Sequence, residues 1–351
     1  MSDAAPVHSP LFSPPSTPNR LAPIHLRTLE EEIRRAGLFD LLADESLTDL
    51  VVNEDGSVFA SGFEGSRWCG RRVSSVVLEG LIGTIAGLHG QVVHEESPIL
   101  EASLPIPVGG GRMRVEAILP PVSAAPILCL RRPPTRILGL EQLEASGSVA
   151  GAARGLLERA VLDRKTILIS GGTSSGKTVL ASALLNFLLE ASPAERLVIV
   201  EEGARELMLP TASNVNRLLT SEAGGITMTR LVRAALRLNP DRIILGELRG
   251  AEAVDYVRAS NTGHPGSVCT LHANSAPDAL HRLHDLVTES GVAMPFSRVV
   301  SAVDRVVHVQ RAGHLRFVET IFEPDHYSDK GAQPGQPAGR TLFHRRTLTA
   351  P

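Results

Sequence analysis

The sequence predicts an α/β fold, a smaller α+β domain followed by a larger domain built on a mostly parallel sheet. Three observations carry that reading. From about Val149 onward, helical stretches alternate with short apolar runs, the pattern of a parallel sheet covered by helices. Before about Pro133 the apolar runs read instead as strands accompanied by two helices. Between the two lies "PPTRILGLEQLEASGS", whose Pro, Gly and Ser content marks a hinge.

Each element follows from local pattern. Residues 1–22 are rich in Pro and Ser and lack periodicity, so a disordered tail is expected there. The spacing of Leu29, Ile33, Leu38 and Leu41 predicts a helix over about Arg27–Ala43. "LTDLVVNEDGSVFASG" reads as two strands about a turn at Glu54-Asp55-Gly56. A helix over about Val73–Leu88 follows, and then strands in "ASLPIPVGGGRMRVEAILPPV" and "APILCLRRPP", separated by a glycine loop and a Pro-Pro break. These segments make the α+β domain, 23–133, with a linker over 134–146.

The larger domain, 147–323, reads as helix 149–162, strand "TILIS", helix 177–190, strand "RLVIV", helix 228–238, strand "RIILGE", helix 251–260 and strand "SVCTLHA". Residues 324–351 look like the N-terminal stretch, and a second disordered tail is expected there.

Composition narrows the function classes. A chain of 351 residues with 43% apolar and 21% charged content reads as soluble and globular. A net charge of −3 and only 3% aromatic residues argue against an obligatory nucleic-acid partner and against stacking platforms. Cys69, Cys129 and Cys269 are far apart and form no CxxC, which disfavours a disulfide framework or a four-cysteine zinc site and fits a reducing cytoplasm. No basic segment followed by an apolar stretch opens the chain, so no signal peptide is expected. The longest apolar candidate, "VSSVVLEGLIGTIAGLHG", contains Glu79 and reads as a domain helix.

"GGTSSGKT" fits G-x-x-x-x-G-K-[ST] with Gly171, Gly176, Lys177 and Thr178, preceded by a strand and followed by a helix. Gly171, Gly172, Thr173, Ser174, Ser175 and Gly176 would turn backbone N–H groups toward phosphate oxygens at a helix N-terminus. Lys177 would reach the β- and γ-phosphates, and the Thr178 hydroxyl would bind Mg²⁺. A nucleotide-hydrolysing site also needs carboxylates. "DRIILGELRG" ends a strand in Glu247, either the water-activating carboxylate or a magnesium partner. "LVIVEEGAREL" offers Glu201, Glu202 and Glu206 at another strand end, as a metal or water network or as a solvated loop. In "NTGHPGSVCTLHANS", His264 and His272 flank a strand near Thr270 and Asn274. Their eight-residue separation is not zinc spacing, which leaves γ-phosphate sensing or ordinary polar packing.

In order, "GGTSSGKT", "VEEGAREL", "RLNPDRIILGELRGAEA" and "NTGHPGSVCTLHANSAPDALHRL" resemble the Walker A, Asp box, Walker B and His box of the type II and type IV secretion ATPases. The phrase "NTGH-x-GS…T-x-HAN" looks most like the branch serving conjugal DNA transfer, type IV secretion and Tad-type pili, and the resemblance covers about residues 30–323. It implies a RecA-like P-loop NTPase core behind the α+β domain, with Mg²⁺ and ATP as cofactors. It also implies a homo-hexamer on the cytoplasmic face of the inner membrane, partnered by membrane components of the machine; no direct nucleic-acid partner is expected, on the net acidity and sparse aromatics noted above.

In that resemblance ATP binds between the domains, and Arg114 and Arg131, with Arg112 as neighbour, match the N-terminal arginines that close on its phosphates. Glu247 matches the Walker B glutamate and shares Mg²⁺ with Thr178. His272, and less closely His264, match the His box, while Arg237 and Arg249 match basic positions around Walker B. The Asp box departs from its usual form: Gly203 stands where an aspartate is expected, with Glu202 and Glu206 aligned and Glu201 one place away. The expected function is a hexameric ATPase motor for type IV secretion or conjugal transfer. The alternatives are a Tad-type pilus ATPase, a nucleotide-gated scaffold of low turnover and a RecA-like nucleic-acid translocase.

Overall fold

A computed structural model describes residues 23–44, 46–62, 65–105, 112–132, 137–203, 205–210, 212, 214–221, 224–313, 315–326 and 337–345. The expected tail 1–22, the glycine loop 108–111, the first linker residues 134–136 and most of the expected tail 324–351 lie outside the described residues. The chain forms two compact units that part between Arg131 and Arg132.

The first unit contains α1 (Pro23–Arg35), α2 (Phe39–Ala43), β1 (Asp49–Val52), β2 (Ser57–Gly62), β3 (Gly65–Arg72), α3 (Ser75–Leu88), β4 (Ile99–Pro105), β5 (Arg112–Ile118) and β6 (Ile127–Arg131). The single helix expected over Arg27–Ala43 is two helices, because the chain turns at Gly37, whose φ is +67°. The strands form a six-stranded sheet in the order β3-β2-β1-β6-β5-β4. Alternation sends Leu50, Val52, Leu128, Leu130, Met113, Val115 and Ala117 to a buried face. They join Leu78, Leu81, Ile82 and Ile85 of α3, spaced at helical period, in one core. The edge strand β3, "GSRWCGRR", has no apolar alternation for the sequence to show, and most of its residues are exposed.

The second unit contains α4 (Leu140–Ala145), α5 (Gly151–Leu162), β7 (Ile167–Ser170), α6 (Lys177–Ala191), β8 (Leu197–Glu201), β9 (Val215–Leu219), α7 (Met228–Ala235), β10 (Arg242–Leu248), α8 (Glu252–Ser260), β11 (Val268–Leu271), α9 (Ala276–Glu289), α10 (Phe296–Val300), β12 (Arg305–Ala312), β13 (Leu315–Pro324) and β14 (Gly339–His344). Its sheet has the order β14-β13-β12-β7-β11-β10-β8-β9. Strands β12 through β9 are parallel, while β13 and β14 add antiparallel strands at one side.

Successive strand residues point to opposite faces, so the sheet closes two cores. Val198, Val200, Ile243, Leu245 and Leu168 pack under α7, α8, α9 and α10. Leu197, Ile199, Ile244, Ile167 and Ile169 pack under α4, α5 and α6. This is the mostly parallel, helix-covered sheet that the alternating pattern predicts.

Two boundaries are corrected. Residues 339–344, expected in a disordered tail, form β14 and pair with β13 from Thr320 to Pro324. Leu140 and Leu143, expected in the linker, are buried on α4 within the second unit's core. Both segments are short and lie among Gly- and Pro-rich sequence, so only their pairing partners reveal them. Among the described residues no helix is long and apolar enough to cross a membrane.

Candidate functional site

The loop 171–176 leaves the carboxyl end of β7, inside the sheet between β12 and β11, and runs straight into α6. Ligands of open parallel sheets bind at that end. A side chain at Gly171 would strike the Val309 carbonyl and lie 2.6 Å from Ser175 Oγ, so only glycine lets the loop close this tightly. Ser175 is buried, and its Oγ has no hydrogen-bond partner among the described residues. Thr173 and Ser174 are exposed at the tip, and Gly176 caps α6. Lys177 is buried at the helix start and donates to the carbonyls of Gly171 at 2.9 Å and Gly172 at 2.8 Å. Thr178 follows it on the first turn of α6. A tight loop with an orphaned hydroxyl, a lysine and a helix N-terminus is suited to an anion.

Adjacent strands bring polar groups to the same end. In β10 the pairing with β11 shifts register between Leu245 and Leu248, and the Thr270 hydroxyl donates to the Gly246 carbonyl at 2.7 Å. Such an irregularity re-aims a side chain, and here the residue is Glu247. Its Oε1 lies 2.7 Å from His272 Nε2, and its Oε2 accepts from Arg249 Nε at 2.8 Å. Lys177 Nζ lies 3.4 Å from His272 Nδ1. With the lysine donating, Nδ1 accepts and the ring proton sits on Nε2; the contact with Glu247 is close in distance but not aligned as a hydrogen bond, and Glu247 Oε1 is a buried oxygen without a hydrogen-bond partner among the described residues. Burial, joined by the Lys177 charge, holds the His272 pKa below the ordinary histidine value. Burial also lowers the Lys177 pKa, with Glu247 opposing the shift.

Arg249 extends the chain of charges. Its Nη1 donates to Glu202 Oε2 at 2.7 Å, and the Glu206 charge also acts on it. Glu201 does something different. It is 1% exposed, and its Oε1 accepts the backbone N–H groups of Glu206 and Leu207, each at 2.7 Å. Its Oε2 binds Arg217 at 2.5 Å. Both oxygens of Glu201 are therefore committed to holding the loop after β8, and it is Glu202, not Glu201, that pairs with Arg249. Gly203 has φ +65°, and its N–H donates to Thr220 Oγ1 at 2.8 Å. The turn that lets Glu201 cap the following backbone runs through this left-handed residue.

Some expected residues lie elsewhere. β11 is in register with β7, with Val268 opposite Ile167 and Leu271 opposite Ser170. His272 therefore emerges beside the loop, while His264 precedes the strand at its other end. Arg237 likewise precedes β10, so of the two arginines expected around that strand only Arg249 joins Glu247. Asn274 is exposed just ahead of α9. Within the first unit, Arg114 and Arg131 are cross-strand neighbours on β5 and β6, and Arg131 Nε lies 3.3 Å from Asp49 Oδ1. The side chain of Arg112 lies outside the described residues.

Sequence reading missed three groups. Arg217 on β9 pairs with Glu201. His308 on β12 meets Ser170 Oγ through Nδ1 at 3.0 Å, beneath the loop. Arg316 on β13 donates to the Ser174 carbonyl at 2.9 Å. β9, β12 and β13 carry no motif, and only sheet order brings them to the site.

Comparison with known proteins places the chain in a family. Residues 41–344 match the family described as Type II/IV secretion system protein. The "Probable conjugal transfer protein TrbB" of Sinorhizobium fredii is 35% identical over 288 residues, covering 82% of this chain and 86% of that protein. The "Type IV secretion system protein VirB11" of Bartonella quintana is 29% identical, covering 81% and 90%. The ATPase DotB of Yersinia pseudotuberculosis has a similar fold, with a TM-score of 0.59 at 16% identity over 85% of this chain and 80% of DotB. On the match of its motifs and of most of its length, this chain belongs to the type II/IV secretion system protein family.

Proposed function

We propose that this protein is an ATP hydrolase with a RecA-like core, working as a homo-hexameric motor of a conjugal-transfer or type IV secretion machine at the inner membrane. The observation that carries the reading is the meeting of Lys177 at the start of α6, His272 after β11 and Glu247 of β10, with His272 3.4 Å from Lys177 on one side and 2.7 Å from Glu247 on the other. The names of its relatives, conjugal transfer and type IV secretion proteins, support the choice of machine.

In this reading the loop 171–176 binds the nucleotide phosphates through backbone N–H groups. Lys177 exchanges its contacts with the Gly171 and Gly172 carbonyls for phosphate oxygens. Glu247 accepts a proton from, or orients, the attacking water. His272 holds Glu247 from one side and Arg249 from the other. Arg114 and Arg131 are the first unit's candidates for phosphate contacts. Mg²⁺ fits the residues present, since Thr178 offers a hydroxyl and Glu247 a carboxylate beside a buried lysine. When bound, Mg²⁺ neutralises developing phosphoryl charge.

Steady-state phosphate release by the full-length protein tests the reading, with Lys177→Ala as the control. Hydrolysis above that control, from a particle of hexameric mass, is expected. Activity no higher than Lys177→Ala would remove the motor. ATP binding without turnover would favour the nucleotide-gated scaffold, the reading that Gly203 supports by replacing an expected carboxylate.

A further inference from the structure

The phosphate loop is held from a side that its own motif does not include. β12 and β13 form an antiparallel pair in which Arg311 lies opposite Arg316. β12 neighbours β7, so the end of this pair stands beside the loop at the carboxyl end of the sheet. From there Arg316 Nε donates to the carbonyl of Ser174 at 2.9 Å. A Cβ added at Gly176 would lie 3.5 Å from both Cβ and Cδ of Arg316, so the side-chain stem runs along the loop on its way to Ser174.

Ser174 is unusual within the loop. Its φ is +58°, and among the described residues of 171–178 it is the one non-glycine in the left-handed region. A non-glycine there is strained and persists when its surroundings hold it. The Arg316 bond to its carbonyl fixes the peptide plane between Ser174 and Ser175. That plane also carries the Ser175 N–H, which here donates to the Gly172 carbonyl at 3.4 Å and, in the proposed reading, would turn to a phosphate. The placement has a cost. Arg316 is partly buried and faces Arg311, and burial first, then the Arg311 charge, lower its pKa. Like charges across a strand pair are unfavourable.

We infer that Arg316 is a positioning residue for the phosphate cradle, setting ATP affinity by holding Ser174 in its left-handed conformation. The inference rests on the reading of this loop as an ATP site. It separates two properties of the arginine, the donor at Nε and the positive charge. Glutamine places its amide nitrogen the same number of bonds from Cα as arginine places Nε, but without charge. Lysine keeps the charge and moves the donor one atom further out. Methionine keeps a stem with neither.

Full-length wild type, Lys177→Ala and the Met, Gln and Lys variants of Arg316 are titrated with a fluorescent ATP analogue and assayed for ATP hydrolysis and thermal unfolding. Arg316→Met is expected to raise Kd and KM about tenfold, the scale of one lost hydrogen bond, with kcat within about twofold. Arg316→Gln recovers most of the affinity, and Arg316→Lys recovers less. If Arg316→Met binds as wild type does while Lys177→Ala does not, the inference is wrong and the ATP site stands. If Lys rescues and Gln does not, the charge acts on the nucleotide and the positioning role is wrong. A wild type that binds no ATP overturns the site and this inference together.

Discussion

The guanidinium of Arg249 meets the carboxylate of Glu247 through Nε at 2.8 Å and Nη2 at 2.5 Å. Glu247 is thus charge-compensated in this conformation, with His272 at its other oxygen. A water-activating carboxylate has to reach the water and accept its proton or orient it. It also has to exchange one of these contacts for water before it acts.

Replacing Glu247 with Gln tests that requirement. The amide keeps the shape and the hydrogen bond to Arg249 but neither attracts a proton nor balances the guanidinium. We expect kcat to fall by about 10²–10⁴-fold, the range of a lost general base, while ATP binding persists. Nucleotide titration beside phosphate release reads both quantities. A loss of binding equal to the loss of turnover would make Glu247 a binding group instead.

Glu202 and Glu201 are adjacent in sequence and opposite in role. The Glu202 pair with Arg249 is half-exposed on both sides, at 51% and 52%. Such pairs are worth about 0–1 kcal/mol. Glu201 is buried, with two backbone N–H donors and Arg217 on it. Glu201→Ala is expected to cost about 3 kcal/mol, the scale of a broken buried ion pair, and Glu202→Ala less than about 1 kcal/mol. Urea unfolding of the two variants checks this, and equal costs would refute the division.

Arg249 and Glu202 should also be coupled in catalysis. Arg249→Gln removes the charge facing both Glu247 and Glu202 and leaves the carboxylates to repel through one polar site. Glu202→Gln in that background relieves part of the repulsion. The double variant is therefore expected to have a higher kcat than Arg249→Gln alone. Additive losses in a double-mutant cycle would show that the two residues act independently.

The motif positions of the site were legible in the sequence because each requirement is local. The loop 171–178 has one spacing, Glu247 lies near the end of β10 two residues after its apolar run, and His272 directly follows β11. Arg316, His308 and Arg217 were not, because they reach the site through the order β13-β12-β7 and the β8–β9 pairing. Strand order is a long-range property that periodicity does not encode. The same holds for β14, a strand only because β13 offers it an edge. The broken first helix was a different kind of miss, since Leu38 and Leu41 keep helical spacing across Gly37 although the backbone does not continue.

His308 gives stability a dependence on pH. It is 3% exposed, and burial drives its pKa below the ordinary value, with Lys177 adding to the shift and Glu319 and Asp278 opposing it. Above the unfolded value, about 6.5, both states are neutral and the group contributes nothing. As pH falls below that value, the unfolded chain takes up a proton that the folded one does not, and stability decreases until the folded pKa is reached. His308→Gln removes this penalty. The stability difference between wild type and His308→Gln is thus expected to shift in favour of the variant from about pH 7 to pH 5. Denaturant midpoints at several pH values measure it, and a difference independent of pH would mean that His308 titrates alike in both states.

Gly203 invites the reverse experiment, restoring the aspartate that the family resemblance expects. Its φ of +65° is left-handed, so any side chain there is strained, although Asp tolerates that region better than most. Gly203→Asp is expected to destabilise by about 1 kcal/mol, and Gly203→Val, β-branched, by more. Turnover should change little with Asp, by less than about threefold, because Glu202 already supplies a carboxylate to Arg249. Melting temperature and kcat of the two variants test both statements. A tenfold gain in kcat with Asp would show instead that this chain hydrolyses slowly for want of that group, and would move the weight of the site from Glu202 to position 203.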